Sequence, residues 1–235
     1  MRRVSTLVAA LGAVFAMGSA QAQFFLVDDF NGPDMFVADL TTAAGGGLTI
    51  GPVGPTNGLN MPALSRTVTH ELLVGPNAAA GIFVAGSFSN VIIGSTSFPT
   101  GSLNISNATG RDSEVTIAWT LPPNFLAGVG PANFRFDVIS SDANQTTAQL
   151  FFGATSLGLF PIPGNSANAA QLFSFDDVIR QQINAGGNLR LVLNGEDGWD
   201  MSLDSFGFQI PEPTTLALVG LALLGAGVAS RRRKG

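Results

Sequence analysis

Glu114-Val115-Thr116-Ile117-Ala118-Trp119-Thr120-Leu121 sets Val115, Ile117, Trp119 and Leu121 against Glu114, Thr116, Ala118 and Thr120. Successive side chains of a strand point to opposite faces, so this alternation describes one buried face and one wet face. Phe134, Phe136 and Val138 repeat it against Arg135 and Asp137. Leu64, Val68, Leu72 and Val74 share one parity, and Phe24 to Phe30 is apolar apart from two aspartates. Further short apolar runs occupy Ile82 to Phe88, Val91 to Ile93, Gln149 to Phe152, Leu157 to Phe160, Leu189 to Leu193 and Met201 to Ile210. Gly, Pro, Asn and Ser separate them. Many short strands punctuated by turn residues predict an all-β body, an antiparallel β-sandwich of jelly-roll type, over residues 23–210.

Two stretches read differently. Ser174 is placed to cap a short helix carrying Val178, Ile179 and Ile183, with Asp176 and Asp177 at its positive end and Gly186-Gly187 as its stop. Gly45-Gly46-Gly47 and Gly51-Pro52-Val53-Gly54-Pro55 mark an early flexible loop.

Both ends carry addresses. Arg2 and Arg3, the apolar run from Leu7 to Met17, and Ala20-Gln21-Ala22 form, in order, the charged start, apolar helix and small-x-small cleavage site of a secretory signal. Residues 1–22 are therefore read as a signal peptide, handled by the export machinery and a signal peptidase that cuts after Ala22 and leaves Gln23 first. At the other end, Pro211-Glu212-Pro213 cannot continue a strand, because proline has no N–H to donate. Thr214 to Ala229 then carries no charge, and Arg231, Arg232, Arg233 and Lys234 follow. A helix over that run spans roughly 24 Å, short of the roughly 30 Å hydrocarbon core, and snorkelling arginines can cover the difference. The basic cluster is expected to stay cytoplasmic.

The Pro-Glu-Pro motif, the following Thr214-Thr215-Leu216-Ala217-Leu218, the apolar helix and the basic tip together resemble the PEP-CTERM sorting signal. The resemblance covers residues 211–235 and implies an address, not an activity. It implies a Gram-negative, exopolysaccharide-producing, biofilm-type context. It also implies a transient transmembrane helix as inner-membrane anchor and cutting near Pro211 to Pro213 by exosortase, a membrane-embedded cysteine protease, with release to the cell surface or medium. Similar tails also occur on proteins described as ice-binding, a property not extended to this body. A second resemblance rests on Val27-Asp28-Asp29-Phe30-Asn31-Gly32-Pro33, Leu64-Ser65-Arg66-Thr67-Val68, Gly101-Ser102-Leu103-Asn104-Ile105-Ser106-Asn107 and Asp200-Met201-Ser202-Leu203-Asp204-Ser205-Phe206. In that order they look like exported bacterial jelly rolls similar to carbohydrate-binding modules. No site residue transfers from it.

Charge narrows the partners. Fifteen of the 16 acidic residues but only five of the 11 basic ones fall within 23–210. Nucleic acids and anionic membranes are held by basic patches, so an acidic body argues against both. Divalent cations and neutral or cation-bridged polysaccharides are compatible with it. There is no cysteine, so the core must hold the fold without disulfides.

Candidate chemistry is sparse. His70, the one histidine, shares parity with Leu64 and Val68, and reads as a partly buried strand residue. No Gly-x-Ser-x-Gly elbow occurs, and zinc would need several His or Cys ligands. Asp28 and Asp29 in the first strand and Asp200 and Asp204 near the last converge on one another if those strands are neighbours, and calcium takes six to eight such oxygens. The alternative is turn chemistry, as in Asn194-Gly195-Glu196-Asp197-Gly198. A glycosidase needs two carboxylates at a set separation, and nothing singles out a pair. With no tyrosine present, Trp199 is the plausible exposed platform for a sugar ring, unless it plugs the end of the sandwich; Trp119 has core parity. Asn104, Asn107 and Asn144 fit the glycosylation pattern, which usually carries no meaning in a bacterium. The resulting expectation is a non-catalytic envelope or matrix protein associated with exopolysaccharide. The alternatives are a carbohydrate-binding adhesin and, third, a secreted glycan hydrolase.

Overall fold

A computed structural model describes residues 23–30, 35–38, 48–56, 64–74, 90–93 and 101–210. The compact body runs from Phe24 to Gln209. In chain order its elements are β1 (Gln23–Asp28), β2 (Met35–Val37), β3 (Leu48–Thr56), β4 (Leu64–Val74), β5 (Asn90–Ile93), β6 (Leu103–Ser106) and β7 (Asp112–Leu121). Then come β8 (Asn133–Ser141), β9 (Thr146–Phe152), β10 (Thr155–Ile162), β11 (Ala167–Ser174), α1 (Asp177–Asn184), β12 (Gly187–Gly195) and β13 (Met201–Ile210).

The strands form two sheets. One has the order β11-β8-β13-β6-β5-β2, with β1 pairing β13 beside that path; the other has the order β10-β9-β12-β7-β4-β3. Neighbours along both orders pair antiparallel. This is the antiparallel sandwich that the alternation predicts. The first and last strands are indeed neighbours. An alanine methyl at Gly207 would run into the Phe25 carbonyl oxygen and Leu26 Cα, which shows how closely β1 approaches β13.

The core lies between the sheets. Val115, Ile117, Trp119 and Leu121 of β7 are all buried, as are Phe134, Phe136 and Val138 of β8. Trp119 stacks on Phe206 across the gap with ring centroids 5.3 Å apart. Phe160 of β10 meets Phe134 at 5.7 Å and Phe173 of β11 at 4.7 Å. Offset and tilted aromatic pairs of this kind add about 0.5–1.5 kcal/mol each beyond the area they bury. This seam carries the fold in place of disulfides.

Three expectations change. The Gly51 to Pro55 stretch is not a loop: it lies within β3, at the edge of its sheet. An edge strand tolerates proline, and the register slips between Ile50 and Val53 and again between Val53 and Thr56. The helix cap is Asp176, not Ser174. β11 continues to Ser174, which pairs with Asn133, and the Asp176 carboxylate accepts the Ile179 N–H at 2.9 Å. The strands β2, β6 and β11 add to those the alternation predicts; they are short or built from Asn, Ala, Ser and Gln, without strong alternation.

Ile82 to Phe88, the signal segment 1–22 and the tail 211–235 lie outside the described residues. Among the described residues no helix is long and apolar enough to cross a membrane.

Candidate functional site

Alternation on β8 sends Phe134, Phe136 and Val138 inward, so Arg135 and Asp137 stand together on the outer face. Arg135 Nε–H donates to both Asp137 carboxylate oxygens, at 2.8 and 3.1 Å. Its Nη1 donates to Gln209 Oε1 at 3.2 Å, and the guanidinium lies 4.7 Å from the centre of the Phe24 ring. Asp137 Oδ2 also accepts the Ser205 hydroxyl at 2.7 Å. The pair is therefore fixed by β1 and β13 as well as by itself.

A register shift in β13 between Ser202 and Ser205 turns Asp204 out onto the same face. Together Arg135, Asp137, Ile139, Asn168, Ala170 and Asp204 line an open groove of about 440 Å³. Burial raises the Asp204 pKa above the ordinary aspartate value, and the nearby charges of Asp137 and Asp29 raise it further. Ile139 also borders a second depression of about 500 Å³, lined by Asn104, Ser140, Asp142, Asp200 and Ser202 among others. Ser202 Oγ donates to Asn104 Oδ1 there at 2.7 Å when the hydroxyl is the donor. The result is an outer face bearing fixed donors and acceptors, suited to a ligand rich in hydroxyl groups. With these internal bonds made, the guanidinium still has N–H groups on Nη2 to donate to a neighbouring hydroxyl.

The four aspartates do not converge. Asp28 is 0% exposed and points into the core. It accepts Arg66 Nη1 at 2.7 Å, Trp119 Nε1 at 2.8 Å and the Phe30 N–H at 2.7 Å. Burial raises its pKa to about 6, against the lowering pull of Arg66 and of these hydrogen bonds. Asp204 is exposed on the outside of the sheet. Asp200 caps the loop ahead of β13, where its Oδ1 accepts the Asn107 N–H at 2.7 Å. Burial raises the Asp200 pKa, with Asp142 adding to the rise and the Asn107 N–H opposing it. Among the described residues no group of three or more His, Asp or Glu is placed to hold a metal ion. The calcium site expected from Asp28, Asp29, Asp200 and Asp204 is corrected on this geometry: Asp28 is committed to an arginine, and Asp204 lies on the other face.

Trp199 is corrected too. It is 0% exposed and offers no platform to a sugar. Its Nε1 donates to the Ser113 carbonyl at 3.1 Å, and Asn107 Nδ2 donates to the Trp199 backbone carbonyl at 2.6 Å. A methyl at Gly195 would sit 2.5 Å from Trp199 Cγ, so the ring is packed directly on that glycine. Trp199 closes the end of the sandwich. His70 and Trp119 are buried, as their parity predicts. Gln23 is the first residue of β1. Ala20, Ala22, Pro211, Glu212, Pro213, Arg231, Arg232, Arg233 and Lys234 lie outside the described residues.

Two signals for the missed residues stand in the sequence. Arg66 shares the buried parity of Leu64 and Val68, and an arginine on a core face requires an anion. Arg135-x-Asp137 places opposite charges two residues apart on one strand face.

No curated protein matches the chain. Among solved structures it is similar to the family 11 carbohydrate-binding module from Clostridium thermocellum in complex with a β-1,3-1,4-mixed-linked tetrasaccharide. That match has 12% identity and a TM-score of 0.34, over 82% of this chain and 97% of that one. It is also similar to TmCBM61 in complex with β-1,4-galactotriose, at 11% identity and a TM-score of 0.32, over 47% of this chain and 70% of that one. A third similarity is to the enzymatically active domain of bacteriophage CBA120 tailspike protein 4, at 12% identity and a TM-score of 0.29. It covers 63% of this chain but only 19% of that one. Residues 209–234 match the PEP-CTERM protein-sorting motif. The chain therefore carries a PEP-CTERM sorting signal, which implies export to the envelope and processing by exosortase.

Proposed function

We propose that this protein is a non-catalytic component of the cell envelope or extracellular matrix that associates with exopolysaccharide through the polar outer face of β8 and β13. The observation that carries this reading is the placement of the groove. Asp204 and Gln209, which turn toward Arg135 and Asp137, belong to β13, the strand that leads directly into the sorting motif. The internal commitment of Asp137 supports binding rather than turnover, since both its oxygens already accept hydrogen bonds from Arg135 and one also accepts from Ser205.

The test is retention of the exported protein on purified exopolysaccharide, comparing wild type with Arg135→Ala and Asp204→Asn. Each variant should lose most of its retention while melting near the wild-type temperature, and no reducing ends should accumulate. Unchanged retention in both variants would remove the face from consideration. Accumulating reducing ends would replace the reading with the hydrolase. In parallel, intact mass of surface protein should show loss of Arg231 to Lys234; a full tail on mature surface material would count against processing.

The adhesin reading is favoured by one feature, the openness of the groove, which admits a chain end or a short oligosaccharide. Binding of short oligosaccharides as tight as that of the polymer would favour it.

A further inference from the structure

We propose that β11 is a pairing edge for a second copy of this chain, joining two larger sheets into one. Among the described residues four strands end the two sheet orders, and three of them are guarded. β10 carries Pro161 and a register shift between Ser156 and Gly158. β3 carries Pro52 and Pro55 and slips register twice. β2 is three residues long. Proline, bulges and short length are the ordinary devices that stop a sheet edge from adding another strand. β11, Ala167-Asn168-Ala169-Ala170-Gln171-Leu172-Phe173-Ser174, has no proline and no charge, and beyond the left-handed backbone at Asn168 (φ 47°) it runs as a regular edge from Ala169 to Ser174. Among the described residues it pairs with β8 alone.

The occupant follows from charge and shape. Fifteen acidic residues against five basic ones in 23–210 make two bodies repel over most of their surfaces, and the β11 edge is a stretch that brings no charge of its own. Antiparallel addition about a two-fold axis makes one patch serve both copies. In the register centred on Gln171, Ala170 of each copy lies opposite Leu172 of the other, and Ala169 opposite Phe173. Small side chains thus meet large ones on both faces. Leu172 is 45% exposed in the single chain, and its cross-strand neighbour on β8 is Arg135; that of Ala170 is Asp137. The row that holds Asp137 in one copy therefore continues into the row that holds Arg135 in the other.

Joining also has a consequence for the groove, which includes Asn168 and Ala170 of β11. The two β8 strands would be three inter-strand spacings apart, about 14 Å. Two Arg135–Asp137 pairs would then face the same way on one continuous surface, and one polymer chain could engage both. Linked sites gain affinity by raising the local concentration of the second one. The dimer itself does not depend on what the groove binds.

Sedimentation of the exported protein from micromolar to near-millimolar concentration tests the proposal. The mass should rise from one copy to two and stop there. Leu172→Lys, which sets charge on the edge, should weaken association about tenfold or more. Ala170→Lys should do the same, and serves if the first variant folds poorly. Leu159→Lys, on the guarded β10 edge, should dimerise like wild type. Melting temperatures of all three should stay close to wild type, since the side chains are exposed. A monomer at every concentration, growth beyond two copies, or a dimer indifferent to both β11 substitutions would each overturn the proposal.

Discussion

Arg66 of one sheet and Asp28 of the other meet at 2.7 Å in the interior, at 1% and 0% side-chain exposure. Trp119 Nε1 donates to the second oxygen of the same carboxylate, so the aspartate is shared by an arginine and an indole. Among the described residues the Arg66 Nε and Nη2 groups have no hydrogen-bond partner, and the guanidinium lies over Phe30 at 6.0 Å. The pair ties the two layers together, but its charges are incompletely compensated. Taking charges out of water costs several kcal/mol per ion.

Arg66→Met should therefore be costly near neutral pH. It leaves the carboxylate buried without its cation, so near neutral pH it must either stay charged and unpaired or take up a proton, which costs about 3–5 kcal/mol. At about pH 5 Asp28 takes up a proton and the cost should shrink. Urea unfolding of wild type and variant at the two pH values checks this. An equal loss at both would mean that packing, not charge, is what the arginine supplies.

The wild-type protein should lose stability from this residue as pH rises. The ordinary aspartate value is 3.8, and native Asp28 stands at about 6. The folded state thus holds this proton more tightly than the unfolded chain. The contribution is complete below about pH 4 and gone once pH has risen through about 6, a change on the order of 3 kcal/mol. Asp112, Asp200 and Asp204 are also raised, with burial the first cause in each, so they slope the same way. Unfolding midpoints measured across pH 4 to 7 should fall; a midpoint that climbs over that range would contradict the assignment.

Trp199→Ala should act on stability. Removing a buried aromatic typically costs about 3–5 kcal/mol. Here it also strips the Ser113 carbonyl of its donor. Trp199→Phe should recover most of the packing and lose about 1 kcal/mol for the missing hydrogen bond. Polysaccharide retention measured on folded protein should not change in either variant. Selective loss of retention with an unchanged melt would restore the ring as a platform.

Calcium should leave the melting temperature where it is. A cation that binds the folded state at 100 times its dissociation constant would add about 2.7 kcal/mol. The committed Asp28 and the outward Asp204 give no such site. Melts in chelator and in millimolar calcium check it, and a calcium-specific rise absent with magnesium would reopen the question.

The fold was legible where one face is dry. In β7 and β8 every second residue is buried, and alternation reported it. It failed at β2 and β6, which are too short to show a period, and at the edge strands β3 and β11. β3 holds proline and glycine, which punctuate chains far more often than they join ladders, and β11 is too small and polar to alternate. The site was half legible. Arg135 and Asp137 were seen to share a face, but nothing local in the sequence tells that β13 slips register and delivers Asp204 beside them. The aspartates misled for the same reason. Proximity of β1 and β13 was read correctly, but Asp28 turns into the core, whereas the bulge of β13 leaves Asp204 on the outer face. Trp199 sits among Glu196, Asp197 and Asp200, which suggests water, yet its ring is buried and packs directly on Gly195.

The place of β13 between β8 on one side and β6 with β1 on the other bears on mechanics. While the sorting signal still holds the chain at its C-terminal end, a pull there would run along the length of this strand. If the load is a polymer held on the β8 face, tension crosses the antiparallel ladder that joins Met201 to Ser141 at one end and Gln209 to Asn133 at the other. Its bonds are then strained together, in shear, rather than peeled in succession from one end. A sheet loaded this way yields at far higher force than one unzipped from an edge strand. The last strand of the chain would be the part best seated to bear the drag of a flowing matrix.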